Sequence, residues 1–158
     1  MVKMIERIVT GDKFRDFSLK DQNGTSFKLS DSIGRRILLS FHPLAWTSVC
    51  AAQMKSLEEN NDLLKSLNTT AVGISVDSVP CKKAWADSLE IVKTALLADF
   101  WPHGGVSQIY GMFRDKEGFS ERANVLVDEN GVAVFVRAYE LRQLPDMDEI
   151  VGVIKNLR

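Results

Sequence analysis

Cysteine is the residue type in this chain that could act as a strong nucleophile, and the 158-residue sequence holds two, Cys50 and Cys81. Cys50 falls in the first turn of a helix that the apolar stripe of Ala51, Met54 and Leu57 predicts. The free N–H groups and the dipole of a helix N-terminus favour an anion, and a thiolate is an anion. Cys50 is therefore a candidate reactive thiolate, with a small buried apolar side chain as the plain alternative.

Two residues of the preceding loop stand at spacings that would serve a thiolate at Cys50. Pro43 would stiffen the loop and shield the thiol from water. The Thr47 hydroxyl lies one helical turn before Cys50, so it can touch the thiolate and a bound oxygen together. Both residues also fit ordinary structural roles, since Pro43 can end a strand and Thr47 or Ser48 can cap a helix.

The elements around this loop predict an α/β protein with a mixed sheet and helices on both faces. Apolar runs and turn-flanked alternating segments predict strands at 17–20, 26–29, 36–41, 71–76, 95–98, 123–127 and 132–136. Capping residues and apolar spacing predict helices from Thr47 to about Asn68, from Ser78 and Pro80 to Leu89, over 106–110, and from Asp146 or Asp148 to Leu157. Chemistry in such sheets sits at the carboxyl ends of strands, which is where the loop before Cys50 lies.

Composition excludes several classes of protein. The 20 Lys and Arg against 21 Asp and Glu give a net charge of −1, without the basic excess of a nucleic-acid binder. No apolar run approaches the roughly 20 residues of a membrane span. No linker or repeat divides the chain, so we expect one domain over residues 1–158. The segment 1–11 lacks the apolar core of a signal peptide, and we expect a cytoplasmic protein.

Other cysteine and histidine chemistries fit the sequence less well. His42 and Cys50 could form a Cys–His hydrolase pair, but no papain-like local pattern surrounds Cys50. Two cysteines with His42 and His103 lack the Cys-x-x-Cys spacing of a zinc site. A disulfide reductase needs the same spacing, and Cys50 is followed by Ala-Ala-Gln.

Pro43, Thr47 and Cys50 stand in the order Pro-x-x-x-Thr-x-x-Cys, and the stretch 41–50 resembles the active-site motif of the peroxiredoxins, the AhpC/TSA superfamily. Arg122, just before a predicted strand, matches the active-site arginine of that family. An arginine taken alone is more often part of a surface ion pair. Its place in the pattern is what marks Arg122 as a candidate site residue.

The resemblance extends over nearly the whole chain. The segment 11–17 is similar to the family's opening segment, with Arg15 where proline is usual. The segments 75–78 and 83–86 are similar to its Ser-Val-Asp-Ser and Ala-Trp stretches. The segments 99–104 and 106–111 are most similar to the one-cysteine, AhpE-like branch.

The resemblance implies a thioredoxin-like α/β fold, with a central mixed β-sheet flanked by helices and an N-terminal β-hairpin. It implies that Cys50 is the peroxidatic thiolate, which attacks a hydroperoxide and becomes a sulfenic acid. Arg122 would hold the thiolate and the peroxide, Thr47 would orient the peroxide, and Pro43 would shield the site. No metal, haem, flavin or other cofactor is implied.

Four further positions carry expectations. Trp46 lies inside the motif and is expected to line the substrate pocket. Gln53, also expected at that pocket, stands where many members carry glutamate, and its amide can hydrogen-bond without bringing a charge. Lys82 and Lys83 are predicted to form a solvated helix face.

Cys81 could be a resolving thiol that condenses with the sulfenic acid of Cys50 to form an intramolecular disulfide. Its place near the start of the next predicted helix favours this role, whereas the similarity to one-cysteine enzymes argues against it. The alternative is that Cys81 is an unrelated small residue, and both interpretations stay open.

The resemblance also implies partners. The substrate would be a hydroperoxide, and the reductant would be thioredoxin, glutaredoxin or a low-molecular-weight thiol such as mycothiol or bacillithiol. We expect a homodimer with residues 100–110 near the contact, and the chain ends without the long tail and second cysteine of typical two-cysteine members. The competing hypothesis is a non-catalytic redox-sensing or holdase-type binding protein on the same fold, which would not require Pro43, Thr47 and Arg122 together.

Overall fold

The computed structural model describes residues 5–157. Residues 1–4, which belong to the segment analysed above for a signal peptide, and Arg158 lie outside the described residues. The strands in that range are β1 Ser18–Lys20, β2 Ser26–Lys28, β3 Arg36–Phe41, β4 Thr69–Ser75, β5 Ala95–Ala98, β6 Phe113–Arg114, β7 Phe119–Ser120, β8 Arg122–Val127 and β9 Ala133–Tyr139. The α-helices are α1 Ser48–Glu59, α2 Asn61–Ser66, α3 Val79–Leu89, α4 Gly105–Ile109 and α5 Met147–Asn156, and a 3₁₀ helix spans Leu29–Ser32.

Seven of these strands form one mixed sheet in the order β2-β1-β5-β4-β3-β8-β9. The three central strands β3, β4 and β5 are parallel, whereas β8 pairs with β3, and β9 with β8, in the antiparallel sense. The N-terminal hairpin of β1 and β2 joins the sheet through β5. This confirms the predicted mixed sheet and its N-terminal hairpin.

Strand β3 shows why the sheet is covered on both faces. Its side chains alternate in direction, so Ile37, Leu39 and Phe41 enter one apolar cluster and Leu38 enters the other. The first cluster includes Tyr110 and residues of α4, and the second is built from α1, α2, α3 and α5. All four of the named β3 side chains are fully buried, as a continuous apolar run predicts.

The helix predicted from Thr47 to about Asn68 is wrong, because the chain forms two helices that meet at Asn60. Asn60 has φ −99° and ψ 8°, outside the helical range. Its side-chain amide donates to the Ser56 carbonyl across 2.8 Å, which competes with continuation of the helix. Residues 113–120, for which no strand was predicted, form the two-residue strands β6 and β7.

The topology brings four chain segments to one edge of the sheet. The parallel strands β3, β4 and β5 all end there, so the loop 42–47, Asp77 and Asp99 follow at the same edge. Strand β8 runs the opposite way and pairs Ala123 with Phe41, so Arg122 begins at that edge. Across residues 5–157, no helix has both the length and the apolarity needed to cross a membrane.

Candidate active site

Cys50 occupies the first turn of α1 and is only 1% exposed. Thr47 is the N-cap residue of α1 and has an extended backbone, but its side chain forms no capping hydrogen bond with the helix. The Thr47 hydroxyl instead donates to the Leu44 carbonyl across 2.7 Å and remains exposed beside the helix start. The side-chain cap bond that the sequence allows at Thr47 is therefore absent.

Arg122 directly contacts the Cys50 sulfur. Its Nη1 atom lies 3.3 Å from the Cys50 Sγ atom and 2.7 Å from the Gln53 Oε1 atom, and its Nε atom donates to the Leu141 carbonyl across 2.9 Å. Arg122 is 3% exposed, and within the described residues no carboxylate forms a salt bridge with it. Arg122 thus presents a buried positive charge directly to the Cys50 sulfur.

Gln53 holds Arg122 through a hydrogen bond and is itself tied to the end of β3. Its side-chain amide donates to the Ser40 hydroxyl across 2.7 Å and to the Phe41 carbonyl across 3.2 Å, both at the end of β3. Its carbonyl oxygen thereby faces Arg122. Gln53 is buried and is not among the residues that line the cavity, so the structure places it as a support of the arginine.

A cavity of about 250 Å³ opens at Cys50. It is lined mainly by apolar side chains, with polar groups close to the sulfur. The lining residues are Pro43, Leu44, Thr47, Ser48, Val49, Cys50, Phe119, Arg122 and Leu141. The structure thus brings Pro43, Thr47, Cys50 and Arg122 together in one cavity.

Trp46 differs from its expected place in the substrate pocket. Its residue is 57% exposed, it has a positive φ of 67°, and it is not one of the cavity-lining residues. The adjacent Ala45 N–H is held by the Asp77 carboxylate across 2.8 Å, which fixes the loop in this conformation.

Cys81 lies in the first turn of α3, as predicted, and both cysteines are free thiols. The capping residue Ser78 accepts from the Cys81 backbone N–H across 3.4 Å. The Cys81 thiol donates to the Asp77 Oδ1 atom across 3.8 Å, and burial together with that carboxylate raises the pKa of Cys81. Cys50 and Cys81 both pack against the second apolar cluster.

The prediction of a solvated face at Lys82 is wrong. Lys82 is fully buried, and its Nζ atom lies 2.8 Å from the Nε2 atom of the equally buried His42. Lys83 is exposed as predicted and pairs with Asp87. The overlooked signal is the spacing of Lys82 from Trp85 and its neighbours, since positions 82, 85, 86 and 89 share one face of a helix.

The two histidines do not serve Cys50 directly. Both ring nitrogens of His42 face other groups, Lys82 and the Ser40 carbonyl. The His103 Nε2 atom lies 2.7 Å from the Gly118 carbonyl. Within residues 5–157, no three His, Cys, Asp or Glu side chains come together in a way that could hold a metal ion.

Comparison with known proteins agrees with this geometry. The model of the AhpC/TSA family matches residues 10–136. Alkyl hydroperoxide reductase E of Mycobacterium tuberculosis is 36% identical over 129 residues, covering 81% of this chain and 82% of that protein. The mitochondrial thioredoxin-dependent peroxide reductase of Drosophila melanogaster is 30% identical over 151 residues, covering 90% of this chain and 62% of that protein.

A solved structure shows the same fold. The reduced 2-Cys peroxiredoxin of Plasmodium vivax superposes with a TM-score of 0.85 at 27% identity, covering 92% of this chain and 80% of that chain. This confirms the thioredoxin-like fold, and the family match covers well over half of the sequence. The chain therefore belongs to the AhpC/TSA family, the peroxiredoxins, whose members are thiol-dependent peroxidases.

Proposed function

We propose that this protein reduces hydroperoxides with Cys50 as the peroxidatic thiolate. The sulfur attacks the terminal oxygen of the peroxide, a sulfur–oxygen bond forms, and the oxygen–oxygen bond breaks. Cys50 becomes a sulfenic acid, and the departing oxygen leaves as water or an alcohol after taking one proton. The observation that carries the proposal is the Arg122 Nη1 atom 3.3 Å from the Cys50 sulfur, in a cavity at a helix N-terminus.

The other cavity residues would share the work. The Arg122 guanidinium can donate to a peroxide oxygen, and the Thr47 hydroxyl, whose own proton is held by the Leu44 carbonyl, can accept a hydrogen bond from the peroxide O–H group. Pro43 closes one wall without presenting an N–H group. Leu44, Phe119 and Leu141 surround the remaining space with apolar surface, which supports organic hydroperoxides as well as hydrogen peroxide as substrates.

Cys81 is proposed as the resolving thiol. Both cysteines sit in first helical turns that begin at one sheet edge, and both pack against the same apolar cluster. In the resolving step the Cys81 sulfur attacks the sulfenic sulfur, the sulfur–oxygen bond breaks, and water leaves with the Cys81 proton. A disulfide needs the two Cα atoms within roughly 7 Å, so we expect the first turn of α1 to unwind in this step.

The finer proposals on partners follow the relatives. We propose that a dithiol protein of the thioredoxin or glutaredoxin type, or a low-molecular-weight thiol, returns Cys50 to the thiol. The exposed Phe100 and Trp101 support a homodimer contact near the sheet edge that carries the site. A reducing compartment such as the cytoplasm would keep both cysteines in the free state that catalysis needs.

The proposal is tested by intact-mass measurement after one equivalent of hydrogen peroxide is added to reduced protein. Wild type should lose two hydrogens, and Cys81→Ser should gain one oxygen that a sulfenic-acid reagent traps. A gain of one oxygen in wild type as well would remove Cys81 from the mechanism and leave a one-cysteine peroxidase. Absence of any mass change in both proteins would contradict the peroxidase proposal itself.

A further inference from the structure

The peroxide chemistry leaves one pair of buried ionisable side chains without a role, Lys82 and His42. Both are fully buried, and their Nζ and Nε2 atoms lie 2.8 Å apart. The indole of Trp85 packs on both, with its ring centre 5.4 Å from the Lys82 Nζ atom and 5.5 Å from the His42 ring. Lysine is almost never fully buried unless it is paired, so this arrangement calls for a reason.

The hydrogen bonds make Lys82 the donor of the pair and His42 the acceptor. The His42 Nδ1 atom lies 3.4 Å from the Ser40 carbonyl, and because a carbonyl only accepts, Nδ1 carries the proton. The Nε2 atom of His42 is then the acceptor, and the amine of Lys82 is the donor. Burial and the nearby charge of Lys82 keep the pKa of His42 well below its usual range, so the histidine is neutral.

The pair is joined to the candidate active site through β3. The Ser40 carbonyl accepts a hydrogen bond from the His42 Nδ1 atom. The hydroxyl of the same serine accepts one from the Gln53 side-chain amide across 2.7 Å. Gln53 in turn holds Arg122, which contacts the Cys50 sulfur. The buried pair is therefore linked to the thiol through three residues, Ser40, Gln53 and Arg122.

The charged and ionisable groups that act on the pair come from several elements, and most of them are anions or potential anions. They are Asp77 after β4, Asp99 after β5, Cys50 on α1 and Cys81 on α3, together with the cation Arg122 on β8. Asp77 is already engaged by Ser75 and Ala45, and the Asp99 carboxylate by the N–H groups of Val106 and Ser107. The two thiols are the groups of this set whose charge changes during the proposed reaction.

We propose that Lys82, held in place by His42, is a positioning charge of the peroxidase site, and that its buried ammonium stabilises the Cys50 thiolate alongside Arg122. This inference rests on the proposed function of Cys50. Lys82 does not touch the peroxide, and it acts through the electrostatic field in a region that water does not screen. His42 makes the buried ammonium tolerable by accepting one of its hydrogen bonds.

The balance at Lys82 makes such coupling effective. Burial lowers the pKa of Lys82 to about 7, whereas the surrounding carboxylates and thiols favour its charged form. The charged and neutral amines are therefore close in free energy near neutral pH, and the Cys50 thiolate is one of the nearby charges that favour the charged form. Formation of the Cys50 thiolate and protonation of Lys82 should favour each other to the same extent.

The test is the pH dependence of Cys50 alkylation by iodoacetamide, followed by mass spectrometry of the Cys50 peptide in the full-length protein. In Lys82→Met the pH midpoint should move upward by about one unit, so that alkylation below both midpoints is about tenfold slower. The matched control is Lys83→Met, which removes an exposed neighbouring lysine and should leave the midpoint unchanged. An unchanged midpoint in folded Lys82→Met would overturn the inference.

A reciprocal measurement keeps the inference testable if Lys82→Met does not fold. The Lys82 side chain is followed by NMR in wild type and in the near-isosteric Cys50→Ser, which removes the thiolate but leaves Lys82 in place. The Lys82 titration midpoint should fall in the variant by an amount similar to the shift measured from the thiol side. Equal Lys82 midpoints in the two proteins would contradict the coupling.

The two proposals can fail separately. If wild type consumes peroxide through Cys50 but the alkylation midpoint is the same in wild type and in Lys82→Met, the peroxidase proposal stands and the role of Lys82 as a positioning charge is refuted. If the midpoint depends on Lys82 but peroxide does not oxidise Cys50, the electrostatic coupling is supported and the peroxidase proposal is refuted.

Discussion

Arg122 donates to three acceptors at once, an arrangement that its planar guanidinium allows. Its Nη1 atom reaches both the Cys50 sulfur and the Gln53 carbonyl oxygen, and its Nε atom holds the Leu141 carbonyl. A lysine would keep the charge but would present one ammonium in place of a rigid fork of donors. The geometry therefore predicts that charge alone does not sustain the reaction.

We predict that Arg122→Lys lowers the second-order rate constant for hydrogen peroxide by at least about tenfold, or about 1.4 kcal/mol in the barrier. The loss should come from the misplaced thiolate and peroxide, since the net charge is unchanged. Stopped-flow peroxide consumption by the reduced proteins measures it, with the exposed Arg142→Lys as control. A rate within twofold of wild type would show that the fork is not needed.

At the scale of residues, the sequence predicts site residues where particular residue types occur at the spacing of a known motif. The sequence predicts Pro43, Thr47, Cys50 and Arg122 as site residues, and the structure places all four in one cavity. The sequence does not predict the buried position of Lys82, because lysine side chains are usually exposed to solvent and because its partner His42 lies 40 residues away in the sequence. Contacts between distant segments are set by the sheet topology, which a local pattern does not contain.

The end of α3 shows how an element can carry local strain. Glu90 follows the helix in a left-handed conformation, with φ 58° and ψ 36°, and its residue is exposed. The Ile91 N–H still reaches the Ala86 carbonyl across 2.9 Å, as in glycine-terminated helices. A side chain at such a position costs free energy that glycine would not.

We predict that Glu90→Gly raises the free energy of unfolding by about 0.5–1 kcal/mol, because glycine adopts this conformation without strain. Urea denaturation monitored by circular dichroism measures the change. The control is Lys55→Gly, at an exposed position within α1, which should destabilise by about 1 kcal/mol. Destabilisation by both substitutions would mean that the left-handed position carries no strain.

Glu58, near the end of α1, fastens the loop that leads into β5. Its carboxylate accepts from the N–H groups of Val92, Lys93 and Thr94 at 2.9–3.1 Å and from the Thr94 hydroxyl at 2.8 Å. Burial alone would raise the pKa of Glu58, but these hydrogen bonds outweigh it and hold the pKa below its usual value. The carboxylate thus stabilises the fold above the pKa it has in the unfolded chain, about 4.3, and this contribution is lost as the pH falls through its folded value.

We predict that Glu58→Gln lowers the free energy of unfolding at pH 7 by about 1–3 kcal/mol, the value of several hydrogen bonds to a charged group. The difference from wild type should shrink as the pH falls below about 4, where the glutamate of the wild type also becomes neutral. Denaturant titrations at a series of pH values test this, with the exposed Glu59→Gln as control. A difference that is independent of pH would assign the effect to packing.

At the scale of elements, strong local signals allowed prediction and weak ones did not. The run of β3, the Asn-Gly turn after β1 and the capping residue Ser78 of α3 each determine structure within a few residues, and each was predicted. The break at Asn60 was missed because the apolar stripe continues through it. Strands β6 and β7 have two residues each, too few to show a period.

At the scale of the whole molecule, the opposed directions of β3 and β8 unite the site. The cysteine helix follows the end of one strand, and the arginine begins its antiparallel neighbour, so residues 72 positions apart come into contact. The loop after β5 lies at the same edge and exposes Phe100 by 53% and Trp101 by 81%. Large exposed aromatic side chains beside a site are typical of an interface.

We predict that the protein sediments as a dimer and that Trp101→Asp shifts it toward monomer, because a charge would be buried in an apolar contact. Analytical ultracentrifugation over a range of concentrations measures the equilibrium. Val92→Asp is the control, since Val92 is 78% exposed on a different loop. A wild type that remains monomeric, or a dimer indifferent to Trp101→Asp, would exclude this surface as the dimer contact.

Oxidation of Cys50 by peroxide is measured by single-turnover peroxide consumption by the reduced protein. Reduced wild type should consume at least one equivalent of hydrogen peroxide far faster than a free cysteine thiol does. Cys50→Ser should consume none on that timescale, although Cys81 is still present. Equal consumption by the two proteins, or a wild type no faster than free cysteine, would contradict the assignment of Cys50 as the peroxidatic residue.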